Sequence, residues 1–161
     1  EMFGMSFETI ASILGKSAVA ARQLASRARR RVRGTPHEPD LTRQREVVEA
    51  YLAALRKGDL AALLTILDPE VVIRADRAAL PPELPGEVHG AQAGARQAMQ
   101  LARGARFARV ALVDGQVGVI VAPRGQLYVV LAIAIDAGRI SAIDVIADGA
   151  RLQALELQVL E

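Results

Sequence analysis

The chain has 161 residues, a formal net charge of +2 and a hydrophobic content of 52%, which is enough for one ordinary domain with an apolar core. Aromatic residues make up only 3% of the chain, so the core must consist mainly of Ala, Val, Leu and Ile. The chain contains no cysteine, which excludes disulfides, cysteine-ligated zinc and a cysteine nucleophile and agrees with a reducing cytoplasm. No run of about 18 apolar residues is present, so no membrane span is predicted.

The first 34 residues combine a helix-turn-helix pattern with a run of arginines. A first helix is predicted over residues 7–14, and Gly15 supplies the turn because glycine enters a left-handed conformation without steric cost. Ser17 can cap a second helix, predicted over residues 18–33, by accepting a hydrogen bond from a backbone N–H. At about 100° per residue, the alanines of this second helix share one face and most of its arginines the other.

The positive charge of the chain is concentrated in this stretch. Residues 1–34 hold seven basic and two acidic residues, a net charge of +5, so the remaining residues carry −3. Such a distribution is typical of a nucleic-acid-binding element attached to a neutral or acidic domain. A solvated surface helix is the alternative interpretation of the same arginines, and the tight turn between Gly15 and Ser17 favours nucleic acid.

The string FGMSFETIASILGKSAVAARQLASRARRRVRG resembles region 4 of the extracytoplasmic-function (ECF) sigma factors of bacterial RNA polymerase. More narrowly, it resembles the subgroup that carries a SnoaL-like extension after region 4. The resemblance implies that residues 1–33 are a partial region 4. It also implies that region 2 and the first helices of region 4 are missing, so we expect this chain to be a fragment of a longer factor.

The second helix of a helix-turn-helix places its first turns at base edges in the major groove, while later positions meet phosphates. Arg22 and Gln23 have the donors and the reach for direct readout of bases. The full set of base-reading candidates is Ser17, Ala18, Ala21, Arg22 and Gln23. The candidates for phosphate contacts are Arg27, Arg29, Arg30, Arg31 and Arg33.

Residues 34–40 are predicted to be a linker, because one glycine and two prolines interrupt the helical pattern there. Helices are then predicted over residues 41–57 and 60–67, with Asp59 as the cap of the second one. A strand is predicted from residue 71, an irregular segment over 75–90 and a helix over 90–102. Four strands follow, separated by hairpin turns, and a short helix over 149–157 ends the pattern; the strands are predicted over residues 107–113, 117–122, 127–135 and 139–146.

This order of elements predicts an α+β fold in which a curved antiparallel sheet wraps around helices. The strand over 127–135 is apolar on both faces, which is typical of a central strand between a helix layer and a pocket or second subunit. The order resembles the SnoaL-like, nuclear-transport-factor-2-like (NTF2-like) cone over residues 41–157, and we assign residues 41–161 to that domain. The words that carry the resemblance are AALRKGDLAALLTILDPEV, VDGQVGVIVAPRG and ISAIDVIADGARL.

The resemblance implies that the extension domain regulates the factor through contacts to region 2 and to the linker between regions 2 and 4. A DGGGK-like sequence motif often accompanies that role, and this chain lacks it. The corresponding segment is residues 74–80, RADRAAL. The usual NPDKL-like word appears as ADGARL at residues 147–152.

A pocket in the cone is a second possibility for function. Asp144 shares its alternating strand positions with apolar residues, and a carboxylate in apolar surroundings is a candidate general base. Pairing of that carboxylate with a nearby arginine is the alternative. The histidines His37 and His89 do not form a ligand cluster, so neither a metal nor a cofactor is predicted. The candidate pocket residues are Arg74, Asp76, His89, Tyr128 and Asp144.

Three hypotheses therefore remain open. The first is a cytoplasmic sigma factor without enzymatic activity, with the promoter −35 element, the RNA polymerase core and region 2 of the intact protein as partners. The second is a small-molecule-binding protein or a ketosteroid-isomerase-like enzyme built on the cone. The third is an interaction module that forms a homodimer through the SnoaL-like domain.

Overall fold

The computed structural model describes residues 38–160 of the chain. Its helices are α1 at Glu38–Lys57, α2 at Leu60–Ile66, α3 at Ala91–Gln100 and α4 at Gly149–Gln153. Short 3₁₀ helices lie at Arg77–Ala79, Ala102–Phe107 and Pro123–Gly125. The strands are β1 at Leu67–Ala75, β2 at Glu87–His89, β3 at Ala108–Val113, β4 at Gln116–Val121, β5 at Val129–Asp136, β6 at Arg139–Ile146 and β7 at Leu157–Val159.

Helices α1 and α2 each begin at residues that favour a helix N-terminus. Helix α1 begins at Glu38, within the segment predicted to be a linker, and Pro39 lies in its first turn. Proline is tolerated there because the first N–H groups of a helix have no partner within the helix. Asp59 caps α2 as predicted, since its Oδ1 accepts a hydrogen bond from the backbone N–H of Ala62 at 3.0 Å.

The strands form one sheet in the order β2-β1-β6-β5-β4-β3-β7. All neighbouring strands run antiparallel except β1 and β6, which pair in parallel. Strand β5 is the middle strand of the sheet, which confirms the central position predicted from its apolar residues. The α+β class predicted from the order of elements is confirmed for the described residues.

The two faces of this sheet have separate apolar clusters. On the inner face, residues of α1, α2 and α3 pack against alternate strand residues, such as Val119 and Ile143. On the outer face, a smaller cluster includes Ile120, Val130 and Ile146, and it is covered by three leucines from the end of the chain, Leu152, Leu155 and Leu157. The sheet therefore carries a helical layer on one face and the C-terminal segment on the other.

Three elements differ from the sequence prediction. Strand β1 begins at Leu67, where the helical pattern was expected to continue. Strand β2 lies inside the segment predicted to be irregular, and it pairs with β1 through Val72 and His89. The last predicted helix ends at Gln153, and the chain continues into β7 at the edge of β3. Strands β2 and β7 have three residues each, which is too short to show an alternating pattern.

The hairpin turns use the backbone conformations that tight turns need. Asp114 and Gly115 have φ angles of 50° and 82°, and Ala137 and Gly138 have φ angles of 51° and 78°. Two consecutive positive φ angles match the right-handed twist of the flanking strands. The hairpin positions predicted from the sequence are confirmed at both sites.

Gly118 lies in the middle of β4, where the backbone of β5 approaches closely. A Cβ atom at Gly118 would lie 2.5 Å from the backbone oxygen of Leu131 and 2.9 Å from Cγ2 of Val113. The neighbouring backbone cannot give way without breaking the β4–β5 pairing. At Gly94 in α3, an added Cβ would meet Cδ1 of Ile73 at 2.8 Å, but that atom is the end of a flexible side chain.

We expect Gly118→Ala to lower the free energy of unfolding by about 2–3 kcal/mol, because overpacking against backbone forces the strands apart. Gly94→Ala is the matched control. Its helix propensity gain of about 1 kcal/mol should offset the displacement of Ile73. Urea unfolding followed by circular dichroism measures both changes, and equal losses in the two variants would contradict the close approach at Gly118.

Candidate functional site

A cavity of about 520 Å³ lies between the inner face of the sheet and the helices. Its walls are mostly apolar side chains, among them Leu52, Ile73, Val119, Leu131, Ile143 and Val145. Tyr128 and Arg103 also line the cavity, and both side chains are exposed, Tyr128 to 60%. The cavity is therefore apolar inside, and its exposed tyrosine and arginine are in contact with solvent.

Two polar side chains in the wall of the cavity are buried, Tyr51 from α1 and Gln97 from α3. Burial raises the pKa of the Tyr51 hydroxyl far above its ordinary value of 10.0, because desolvation disfavours the charged phenolate. The hydroxyl therefore stays protonated while the domain is folded.

Gln97 is 6% exposed, and its two amide atoms have different surroundings. The amide nitrogen Nε2 donates a hydrogen bond to the backbone oxygen of Pro85 at 3.2 Å. The amide oxygen Oε1 is buried and accepts no hydrogen bond. Because the Pro85 carbonyl can only accept, it fixes which end of the amide is the nitrogen.

An ion cluster on the other face of the sheet joins the segment after β1 to strand β6 and helix α4. The Arg151 guanidinium donates through Nη1 to Oδ1 of Asp76 and through Nη2 to Oδ2 of Asp144, the latter at 3.0 Å. The three side chains are 18–23% exposed. A guanidinium between two carboxylates makes short, charge-assisted hydrogen bonds. Arg151, Asp76 and Asp144 are called the Arg151 cluster below.

Backbone groups complete the surroundings of the Arg151 cluster. The second oxygen of Asp76, Oδ2, accepts hydrogen bonds from the backbone N–H of Ala147 at 3.0 Å and of Asp148 at 3.1 Å. Asp148 in turn caps α4, because its Oδ2 accepts from the backbone N–H of Arg151 at 3.0 Å. These hydrogen bonds bring segment 74–80 into direct contact with segment 147–152. Both are segments in which the sequence motifs of the family depart from their usual form.

The five pocket candidates do not form one polar set. Tyr128 lines the cavity, whereas the other four are not among its lining residues. Asp76 and Asp144 meet in the Arg151 cluster. Arg74 and His89 each contact the exposed carboxylate of Glu87 at the β1–β2 edge of the sheet, at 3.1 and 3.3 Å.

The position of Asp144 has a specific cause. The β5–β6 register shifts between Ala134 and Ile135, so Ile140 belongs to the inner cluster. Asp144 pairs with Ala132, a member of the outer cluster. Simple alternation along the strand would put Ile140 and Asp144 on one face, and the register shift separates them. The alternative of an arginine partner for Asp144 is confirmed. Arg151 as that partner was missed, because seven residues separate the two in sequence and only α4 folding back joins them.

The DNA-contact candidates from Ser17 to Arg33 and the linker residue His37 lie outside the described residues. Within residues 38–160, no group of three or more His, Asp or Glu side chains is placed to hold a metal ion. None of the helices in that same range has both the length and the apolar character that a bilayer crossing needs.

Tyr51 generates a prediction about alkaline pH. Its raised pKa means that the folded state holds the proton more tightly, so the free energy of unfolding is unaffected below the unfolded pKa and falls as pH rises above it. Above about pH 10 this loss approaches 1.4 kcal/mol per pH unit. Tyr51→Phe should therefore unfold at a higher pH than the parent chain in circular dichroism.

Tyr128→Phe is the control for this measurement, because it removes the exposed hydroxyl and leaves the buried one. Its midpoint of alkaline unfolding should equal that of the parent, and the phenolate absorbance of Tyr51 should appear only as the fold is lost. Phenolate absorbance in the folded Tyr128→Phe variant would contradict the burial of Tyr51.

The Arg151 cluster generates a prediction about stability. Arg151→Leu leaves two partly buried carboxylates facing each other, and we expect the free energy of unfolding to fall by about 1.5–3 kcal/mol. Arg74→Leu removes a comparable ion pair between half-exposed side chains and should cost less than about 1 kcal/mol. Urea unfolding at neutral pH tests this, and similar losses in both variants would show that the cluster does not stabilise the domain.

No protein-family model matches the chain. It is 35% identical to the ECF RNA polymerase sigma factor SigJ of Mycobacterium tuberculosis over 72% of this chain and 40% of SigJ. It is 32% identical to the probable ECF RNA polymerase sigma factor SigI of the same species over 99% of this chain and 54% of SigI.

The solved structures that resemble the chain include one of these relatives. The crystal structure of Mycobacterium tuberculosis SigJ has a TM-score of 0.58 at 28% identity, covering 94% of this chain and 56% of that chain. An NTF2-like protein from Mesorhizobium loti has a TM-score of 0.47 at 16% identity over 68% of this chain. The chain spans about half the length of the curated relatives it matches. Over that span, it is a relative of the extracytoplasmic-function sigma factors of RNA polymerase.

Proposed function

We propose that this chain is the part of an ECF sigma factor that contains a DNA-binding piece of region 4 and a regulatory cone domain. The observation that carries the proposal is the 32% identity to SigI over 99% of this chain, since it extends over the basic stretch and the cone alike. The working place of such a factor is the cytoplasm, and its partners are the RNA polymerase core and promoter DNA.

In this proposal, residues 18–33 bind the promoter −35 element. The early positions, from Ser17 to Gln23, approach base edges, and the arginines from Arg27 to Arg33 approach phosphates. The net charge of +5 over residues 1–34 supports this, because phosphate contacts supply most of the affinity that is independent of sequence.

The cone domain is proposed to modulate initiation rather than to catalyse a reaction. No aspartate, glutamate or histidine is among the described residues that line the cavity, so the cavity wall offers no general base for acid–base chemistry. Asp76 and Asp144 are engaged by Arg151 outside it. Regulation then proceeds through contacts to region 2 and to the linker that follows it, and the joined segments 74–80 and 147–152 belong to the surface available for them.

Two arginine substitutions test the DNA-binding part. Arg22→Ala should relax base preference at one position of the −35 element, because a bidentate contact to a base is worth about 1–3 kcal/mol of discrimination. Arg30→Ala should weaken binding to all sequences alike and reduce the salt dependence by about one phosphate contact. Fluorescence anisotropy with labelled duplexes over a range of salt concentrations separates the two effects; identical behaviour of both variants would contradict the assigned roles.

Run-off transcription with the polymerase core tests the regulatory part. The complete sigma factor that carries this chain is compared with a version that lacks residues 41–161 and with the Arg151→Leu variant. We expect transcript yield from one promoter to change on truncation, with a smaller change of the same sign in Arg151→Leu. Equal yields from all three would contradict a regulatory role of the cone.

A further inference from the structure

We propose that one end of the cone's sheet binds single-stranded nucleic acid through three exposed arginines and two exposed aromatic side chains. This surface is called the arginine–aromatic end, and it consists of Arg103, Arg106, Phe107, Arg124 and Tyr128. The inference goes beyond the proposed function, which assigns DNA binding to residues 18–33 and regulation to the cone.

The strand pairing brings the two aromatic residues together. Strand β3 begins, β4 ends and β5 begins at the same end of the sheet, because Ala108 pairs with Val121, which pairs with the first residue of β5. Just outside these pairs, the backbone N–H of Ala122 donates to the oxygen of Phe107 at 3.5 Å. The backbone N–H of Tyr128 donates to the oxygen of Val121 at 2.9 Å. Since neighbouring strands are about 4.8 Å apart, the backbones of Phe107 and Tyr128 lie about 10 Å from each other.

Both aromatic side chains at this end are exposed. Phe107 is 40% exposed and Tyr128 is 60% exposed, whereas Tyr51, the third aromatic residue of the described part, is buried. The guanidinium carbon of Arg106 lies 4.7 Å from the centroid of the Phe107 ring, which is the geometry of a cation–π contact. Unpaired bases stack on aromatic rings and on guanidinium planes alike. Arg106 and Phe107 therefore offer a flat, positively charged platform for a base.

The arginines at this end are available to phosphates. Arg103 and Arg106 are three residues apart in the 3₁₀ helix at Ala102–Phe107, so they lie on one side of it. Arg124 lies in the connection between β4 and β5, and all three arginines are exposed. Within residues 38–160, no carboxylate forms an ion pair with any of the three.

The acidic residues of the domain lie elsewhere. Residues 88–113 and 115–135 contain five arginines and neither aspartate nor glutamate, although residues 35–161 carry a net charge of −3. Asp114, between the two segments, lies in the β3–β4 turn at the opposite end of these strands. An acidic peptide would match the arginines but offers no ring to stack on the aromatic side chains. The combination of both favours a strand with unpaired bases.

The test compares two fluorescein-labelled probes of 12 nucleotides and equal charge: oligothymidylate, and a strand with an abasic site at every position. With the complete 161-residue chain, we expect oligothymidylate to bind about tenfold more tightly in fluorescence anisotropy, as the stacking of one base implies. Replacing both Phe107 and Tyr128 with leucine should bring the two probes to equal affinity. The conservative pair, Phe107→Tyr with Tyr128→Phe, should keep the preference for bases.

Two controls separate this surface from the rest of the chain. Phe3→Leu removes an aromatic ring from the N-terminal stretch and should leave the base preference unchanged. Arg106→Ala should reduce the slope of log affinity against log salt by about 0.7, the value of one phosphate contact to a single strand. Arg139 is an exposed arginine at the far end of β5 and β6, and Arg139→Ala should leave that slope unchanged. Circular dichroism confirms that each variant is folded.

Three results would overturn the proposal: equal affinity of the parent chain for the two probes, a base preference that survives the double leucine substitution, or its loss in Phe3→Leu. An oligoglutamate of 12 residues that competes as well as oligothymidylate would assign the surface to an acidic peptide and overturn the nucleic-acid class. The roles of residues 18–33 are tested with duplex DNA, in which base faces are already stacked. A failure here is therefore distinguishable from a failure of the sigma-factor proposal.

Discussion

The guanidinium of Arg151 is the contact on which the arrangement of the cone depends. It lies between carboxylates from two separate segments, Asp76 after β1 and Asp144 on β6. Both acids lie on the outer face, and no acidic side chain is among the described residues that line the cavity on the inner face. It also holds α4 against the sheet, so that the leucines that follow α4 cover the outer apolar cluster. One side chain thus joins the segment after β1, strand β6 and helix α4.

The two faces of the sheet differ in their chemistry. The outer face carries the Arg151 cluster and the segments 74–80 and 147–152 that this cluster joins. The inner face encloses an apolar cavity in which Gln97 and Tyr51 are the buried polar groups.

Much of this architecture could be predicted from the chain, and the exceptions have physical reasons. Local sequence patterns predict the bounds of β6, and turn chemistry predicts the glycine-containing hairpins. The capping preference of aspartate predicts the role of Asp59. The face on which Asp144 lies did not follow, because the register shift beside Ile135 arises from the pairing of two strands and leaves no mark in the alternation of either one. The burial of Gln97 did not follow either, since one glutamine in an alanine-rich helix looks like a surface residue. Its burial results from the packing of that helix over β1.

The parallel pairing of β1 with β6 has a consequence for the order of folding. Arg74 and Asp144 are partners in this pairing, so almost the entire domain must leave the ribosome before the sheet can be completed. Pairings between residues so distant in sequence form slowly, and synthesis delivers the N-terminal segments first. The basic stretch at residues 1–34 is therefore synthesised, and leaves the ribosome, well before the sheet of the cone domain can close.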